Sequence, residues 1–143
     1  MLTPLNKMKA WLQTCPCFSQ GFTLQLDCLD AVPGSKGLYS QGVEEISRRE
    51  DVLGNVTVVN RMQFLFYLVS CRGMEAQDRE ALWQLRNWVQ QQSFQGYAPQ
   101  FGNVPREERI MVEKETLHSV SQNGTKKYAV TVTAQFTEKL ERS

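Results

Sequence analysis

From Arg61 to Ser70 the chain alternates with period two. Met62, Phe64, Phe66 and Leu68 fall on one face of an extended strand, and Arg61, Gln63, Leu65 and Tyr67 fall on the other. The first face is wholly apolar, as a core strand requires. The second is mixed, and a partly apolar second face is usually covered by a helix or by a neighbouring subunit. The same period runs through the last third of the chain, where Tyr128, Val130, Val132, Ala134 and Phe136 alternate with Ala129, Thr131, Thr133, Gln135 and Thr137. These two strands are predicted to share a core built on Phe64, Phe66, Val130, Val132 and Phe136.

Other segments switch to a helical period or lose periodicity. Thr3-Pro4 supplies a hydroxyl cap and a proline at the first helical position. Leu5, Met8, Trp11 and Leu12 then line one helix face, and Cys15-Pro16 ends the helix. Phe22 to Leu29 reads as a short strand with Phe22, Leu24, Leu26 and Cys28 on one side, and residues 31–37 read as a loop. Leu38 to Ile46 is a weaker strand interrupted by Gly42. Ser47 to Thr57 is a polar insertion, predicted to form a long hairpin tip before a strand from Val58 to Ser70. Asp78 is placed to cap a second helix from Arg79 to Ser93, whose stripe is Leu82, Leu85, Trp88 and Val89, with Trp83 off it. Gly96 to Pro105 is loop. Ile110 to Leu117 and Tyr128 to Thr137 form a hairpin turning near Asn123-Gly124. The order implies one α+β domain over residues 1–143, an antiparallel sheet with helices packed on one face.

Composition narrows the function classes without choosing among them. The 143 residues carry a net charge of +1, with 41% apolar and 22% charged residues. No global charge argues for nucleic acid, and no apolar run has transmembrane length. Lys7 and Lys9 precede only a short, broken apolar segment, unlike a secretory signal. On that ground Cys15, Cys17, Cys28 and Cys71 are expected to be reduced thiols. Cys15-Pro16-Cys17 has one residue between its thiols where zinc and redox motifs have two, so no metal or cofactor site is expected. His118 is the only histidine, and no motif joins it to Cys17 or Cys71 as a nucleophile pair. Gly34-Ser35-Lys36-Gly37 lacks phosphate-loop spacing. Two features stay open between a bland and a functional reading. Trp83 is either a second core contact or an interface anchor. The segment Arg48 to Asn55 is either a mobile loop or a tip that orders against a partner.

The chain resembles the tail completion, or tail terminator, proteins of long-tailed bacteriophages and prophages of Gram-positive bacteria, also called minor capsid or head-tail joining proteins. The resemblance spans nearly the whole chain. It rests on Trp11-Leu12-Gln13-Thr14-Cys15-Pro16, on Arg61 to Ser70, on Trp88-Val89-Gln90-Gln91-Gln92, on Gly96-Tyr97-Ala98-Pro99 with Gly102, and on a hairpin strand like Tyr128-Ala129-Val130. The chain departs from the family pattern at Cys71-Arg72-Gly73-Met74. The resemblance implies a non-enzymatic subunit that forms a ring, commonly a hexamer, at the head-proximal end of the tail tube. Its partners would be copies of itself, the tail tube protein and the head connector, with no specific nucleic-acid or membrane binding. It would be built into the virion after assembly in the bacterial cytoplasm. Ring contacts are expected at Arg48, Arg49, Glu50, Asp51, Asn55 and Trp83. The alternatives are a connector-side neck protein, a small enzyme using Cys17 or Cys71 with His118, and a cytosolic binding module with a pocket under Trp83 and Trp88.

Overall fold

A computed structural model describes residues 3–18, 22–113 and 115–142. The first helix, α1, spans Pro4–Leu12; Thr3 caps it by accepting the Asn6 N–H on its hydroxyl. Strands β1 (Gln25–Leu26), β2 (Lys36–Glu50) and β3 (Val56–Ser70) follow, then helix α2 (Glu75–Gln95), a 3-10 turn at Pro105–Glu107, and strands β4 (Arg109–Val112), β5 (Thr116–Val120) and β6 (Lys126–Leu140). The sheet order is β1-β2-β3-β6-β4, with β5 continuing the β4 edge of β6. The fold is α+β, and every strand pair is antiparallel except β1 with β2.

Both helices lie on one face of this sheet. Met8, Trp11 and Leu12 of α1 and Leu82, Leu85 and Val89 of α2 bury against Phe64, Phe66, Leu68, Val130, Val132 and Phe136. The five predicted core residues therefore do share one core. Trp11 stacks on Trp88 at 5.1 Å between ring centroids, which locks the two helices together.

Several expected boundaries move, each for a local reason. The strand expected from Phe22 to Leu29 shrinks to Gln25–Leu26 because Asp27 takes φ 55, a left-handed conformation that ends extension. Phe22 and Leu24 are buried, whereas Cys28 is exposed. Asp78 does not cap α2. The helix starts at Glu75, after Gly73 turns at φ 91, and the Glu75 carboxylate accepts the Gly73 N–H at 2.6 Å and pairs with Lys126 at 2.9 Å. That pairing holds the Glu75 carboxyl below its usual range. Gly96, at φ 81, ends the helix. The strand expected over Ile110 to Leu117 is two strands, β4 and β5, separated at residues 113–115, of which Lys114 lies outside the described residues. The turn near Asn123-Gly124 is where it was expected, between Val120 and Lys126.

The expectation of reduced thiols fails for two of the four cysteines. Pro16 turns the chain so that Cys15 and Cys17 come to 5.5 Å between Cα atoms, inside the range of a disulfide, and the two are bonded. Cys28 and Cys71 are free.

Candidate assembly surface

The largest departure from expectation concerns Ser47 to Thr57. It is not a long polar tip. β2 and β3 stay paired to Glu50↔Val56, so only residues 51–55 turn. The polar side chains tolerate strand geometry because both faces of this stretch meet water. β6 pairs alongside β3 just as far, to Val56↔Leu140. Each of these strands has 15 residues, a length of roughly 50 Å, while the 21 residues of α2 span roughly 30 Å. The sheet therefore outruns the helical layer and ends in a three-stranded arm.

The tip of the arm is tightly built. Asp51 N–H donates to the Asn55 carbonyl at 3.0 Å, and Gly54 N–H donates to the Asp51 carbonyl at 3.1 Å. One Asp51 carboxylate oxygen accepts the Leu53 and Asn55 backbone N–H groups at 2.9 and 3.0 Å, and the other accepts the Asn55 side-chain amide at 3.1 Å. These donors, Asn55 N–H foremost, hold the Asp51 carboxyl below its usual range. Gly54 supplies the positive φ of 86 that the turn needs. The Asn55 side-chain oxygen accepts the Arg142 N–H at 2.9 Å, tying the chain beyond β6 to the tip.

What this scaffold presents is apolar. Val52 is fully exposed and Leu53 is 76% exposed. Neither was picked out in the sequence, where they sit inside a polar stretch. The signal that marks them is an aliphatic pair immediately before Gly54-Asn55, at the centre of a turn. Of the residues that were picked out, Asp51 and Asn55 build the turn. Arg48 lies in β2 and pairs with Glu45 at 2.8 Å, a hydrogen bond that holds its guanidinium above its usual range. Arg49 and Glu50 complete β2 and are exposed.

On the helix side, beside Pro4 at the start of α1, the arm forms a shelf. It is a groove of about 350 Å³ lined by residues that include Val43, Arg48, Val58, Phe101, Phe136 and Leu140. Val58 and Phe136 make its buried floor, while Val43 and Leu140 stand as exposed apolar walls.

Trp83 belongs to a different element, α2. It is half exposed, with the Arg86 guanidinium 5.2 Å from its ring centroid, so it is not a second core contact. Trp88 is packed against the core and stacked on Trp11. The face of the sheet opposite the helices carries no helix. There Tyr67 is shielded by Tyr39 and His118, at ring distances of 5.3 and 5.2 Å, and by the Lys127 ammonium at 4.8 Å. His118 thus packs on a tyrosine, and Cys17 is taken up by Cys15. Among the described residues, no three His, Cys, Asp or Glu side chains are grouped so that they could hold a metal ion. Nor is any helix of the described residues long and apolar enough to cross a membrane. No protein-family model matches this chain, and no curated protein matches it.

Proposed function

We propose that this chain is a structural phage virion protein, a tail terminator that assembles as a ring on the head-proximal end of the tail tube and forms the joint to the head. One observation carries the reading: a rigid three-stranded arm projects past the helical layer and ends in an ordered turn that exposes two aliphatic side chains. A monomer gains nothing from ordering an apolar tip in water, whereas an assembly contact needs a preorganised apolar anchor. Trp83 with Arg86 supplies a second exposed aromatic-cation patch of the kind enriched at interfaces. The sequence resemblance gives these contacts their setting, a ring docked on a tail tube. The near-neutral net charge suits a ring whose lumen lets DNA pass without strong attraction.

Removing the gene from its phage tests the reading. Tails should then grow to uncontrolled length or fail to join heads, and the supplied protein should restore both. Tails of normal length joined to heads in its absence would reject the terminator role. Defective joining with normal tail length would move the protein to the connector side of the neck.

A further inference from the structure

We infer that the Cys15–Cys17 disulfide is a thiol–disulfide exchange site, opened by a dithiol whose thiolate attacks Cys17 while Cys15 leaves. The site lies beside Lys36, at the opposite end of β2 from the arm tip, and owes nothing to the ring reading.

The bond is poorly placed to act as a staple. Disulfide stabilisation grows with the length of loop closed, and this one spans a sequence separation of 2. The chain on either side is held without it. Cys15 N–H donates to the Leu12 carbonyl at 3.1 Å, and the Cys15 side chain sits in the core. Phe18 stacks on Phe66 at 5.7 Å, and the Lys36 ammonium lies 4.9 Å from its ring centroid. A free cysteine packs as a small hydrophobe, so a reduced Cys15 fits where it stands. One residue between the cysteines is enough here, because the turn at Pro16 already brings the sulfurs into bonding distance.

The two sulfurs are not equivalent. Cys15 is 2% exposed. Cys17 is half-buried and lines a surface cleft of about 380 Å³ with Phe18, Lys36, Asp78 and Gln84. An incoming thiol therefore meets Cys17 first. Cys17 N–H donates to the Cys15 sulfur at 3.5 Å. Such a bond strengthens when the sulfur becomes anionic, which lowers the pKa of the thiol and makes Cys15 the better leaving group.

In the first step the attacking sulfur bonds to Cys17 Sγ, the Cys15–Cys17 bond breaks, and its electron pair goes to Cys15 Sγ. The second thiol of the dithiol, having lost its proton to water, then attacks its partner sulfur in the mixed disulfide, and Cys17 leaves as a thiolate. Both cysteines take protons from water. The pair gains two electrons and two protons, and the dithiol is oxidised to its disulfide.

The test uses the full chain with Cys28→Ser and Cys71→Ser, which removes the other thiols. It is treated with dithiothreitol in the absence of denaturant, alkylated, and its intact mass measured. The pair should open while circular dichroism still shows a folded protein. The rate should rise in proportion to dithiothreitol and stay level in urea below the unfolding transition. A rate that climbs steeply with urea, or reaches a plateau as dithiothreitol rises, would show that the bond is reached only by unfolding and would overturn the inference. Oxidised glutathione added to the reduced protein should reclose the pair, and a pair that stays reduced would overturn it too. Two further variants of the same chain identify the sulfur attacked. With Cys15→Ala, Cys17 should exchange with 4,4′-dithiodipyridine. With Cys17→Ala, Cys15 should exchange at least about tenfold more slowly, because it is buried. Equal rates, or the reverse order, would reject attack at Cys17.

Discussion

Single carboxylates in this chain are set in opposite directions by what surrounds them. Glu108 accepts the Phe101 N–H on one oxygen at 2.6 Å, while its other oxygen is buried without a partner. Burial raises its carboxyl above the ordinary range, with the Phe101 and Gly102 N–H groups acting the other way. The folded form therefore holds its proton more tightly than the unfolded chain does. Its contribution to stability is fully present below the ordinary carboxylate pKa and is lost as pH rises through the folded value. Asp51 and Glu75 have depressed pKa values, so their contributions are present at neutral pH and are lost as pH falls through those values. Glu108→Gln keeps the acceptor for Phe101 and removes the charge. Relative to wild type it should gain stability between pH 4 and pH 7, read as urea midpoints at both values. An unchanged difference between the two proteins at both pH values would show that the Glu108 charge is solvated. None of this was legible in the sequence, where Glu108 is one acid among several near Pro105; its burial depends on a loop that folds back over it.

Among the elements, strongly periodic segments were legible and polar ones were not. The β3 and β6 faces and the α2 stripe follow directly from spacing, because removing an apolar face from water is the main force that places such segments. Phe66→Ala should accordingly cost about 3–5 kcal/mol of unfolding free energy in a denaturant titration. A cost below about 1 kcal/mol would place that face outside the core. Residues 47–50 were read as a tip because polar side chains carry no inward signal. They form strand because β3 supplies their ladder partners out to Glu50↔Val56. The early start of α2 depends on tertiary contacts such as the Glu75–Lys126 pair, which no local pattern encodes. At the edge of β6, Asn103 acts as a one-residue strand, its side chain accepting the Lys139 N–H at 2.7 Å and donating to the Lys139 carbonyl at 2.9 Å. Gly102 allows that approach, since a side chain there would run into the Thr137 carbonyl.

At the scale of the whole molecule, the arm is where a charge reversal should act on assembly and leave folding alone. Arg48→Glu with Arg49→Glu places like charges beside Glu45 and Glu50 on a strand that is exposed along its outer half. Exposed ion pairs contribute roughly 0–1 kcal/mol, so the monomer should unfold almost as wild type does. Complementation with this variant should give tails of uncontrolled length or tails unable to join heads, because charge complementarity sets register between copies. Normal tails would take the arm out of the interface and leave Trp83 as the better anchor. The sequence reading proposed this stretch as an interface on the strength of its charges. Its charges are conspicuous, yet Val52 and Leu53 are what the turn holds out, and their exposure becomes visible only once the strands on either side are placed.

The irregularities of β2 carry a consequence for solubility. Its outer edge is paired only at Gly37 and Leu38, so from Tyr39 to Glu50 a row of backbone donors and acceptors faces outward. A straight, open edge of that length would template strand after strand and drive fibre growth. The register shifts between Ser40 and Val43 and between Glu45 and Ser47 break it into short runs that point in different directions, and Gly42, at φ 88, bends the first. Charged side chains at Glu44, Glu45, Arg48, Arg49 and Glu50 further discourage a second sheet from adding there. Under the proposed ring assembly, the exposed arm is thus kept from pairing with a wrong partner through its backbone.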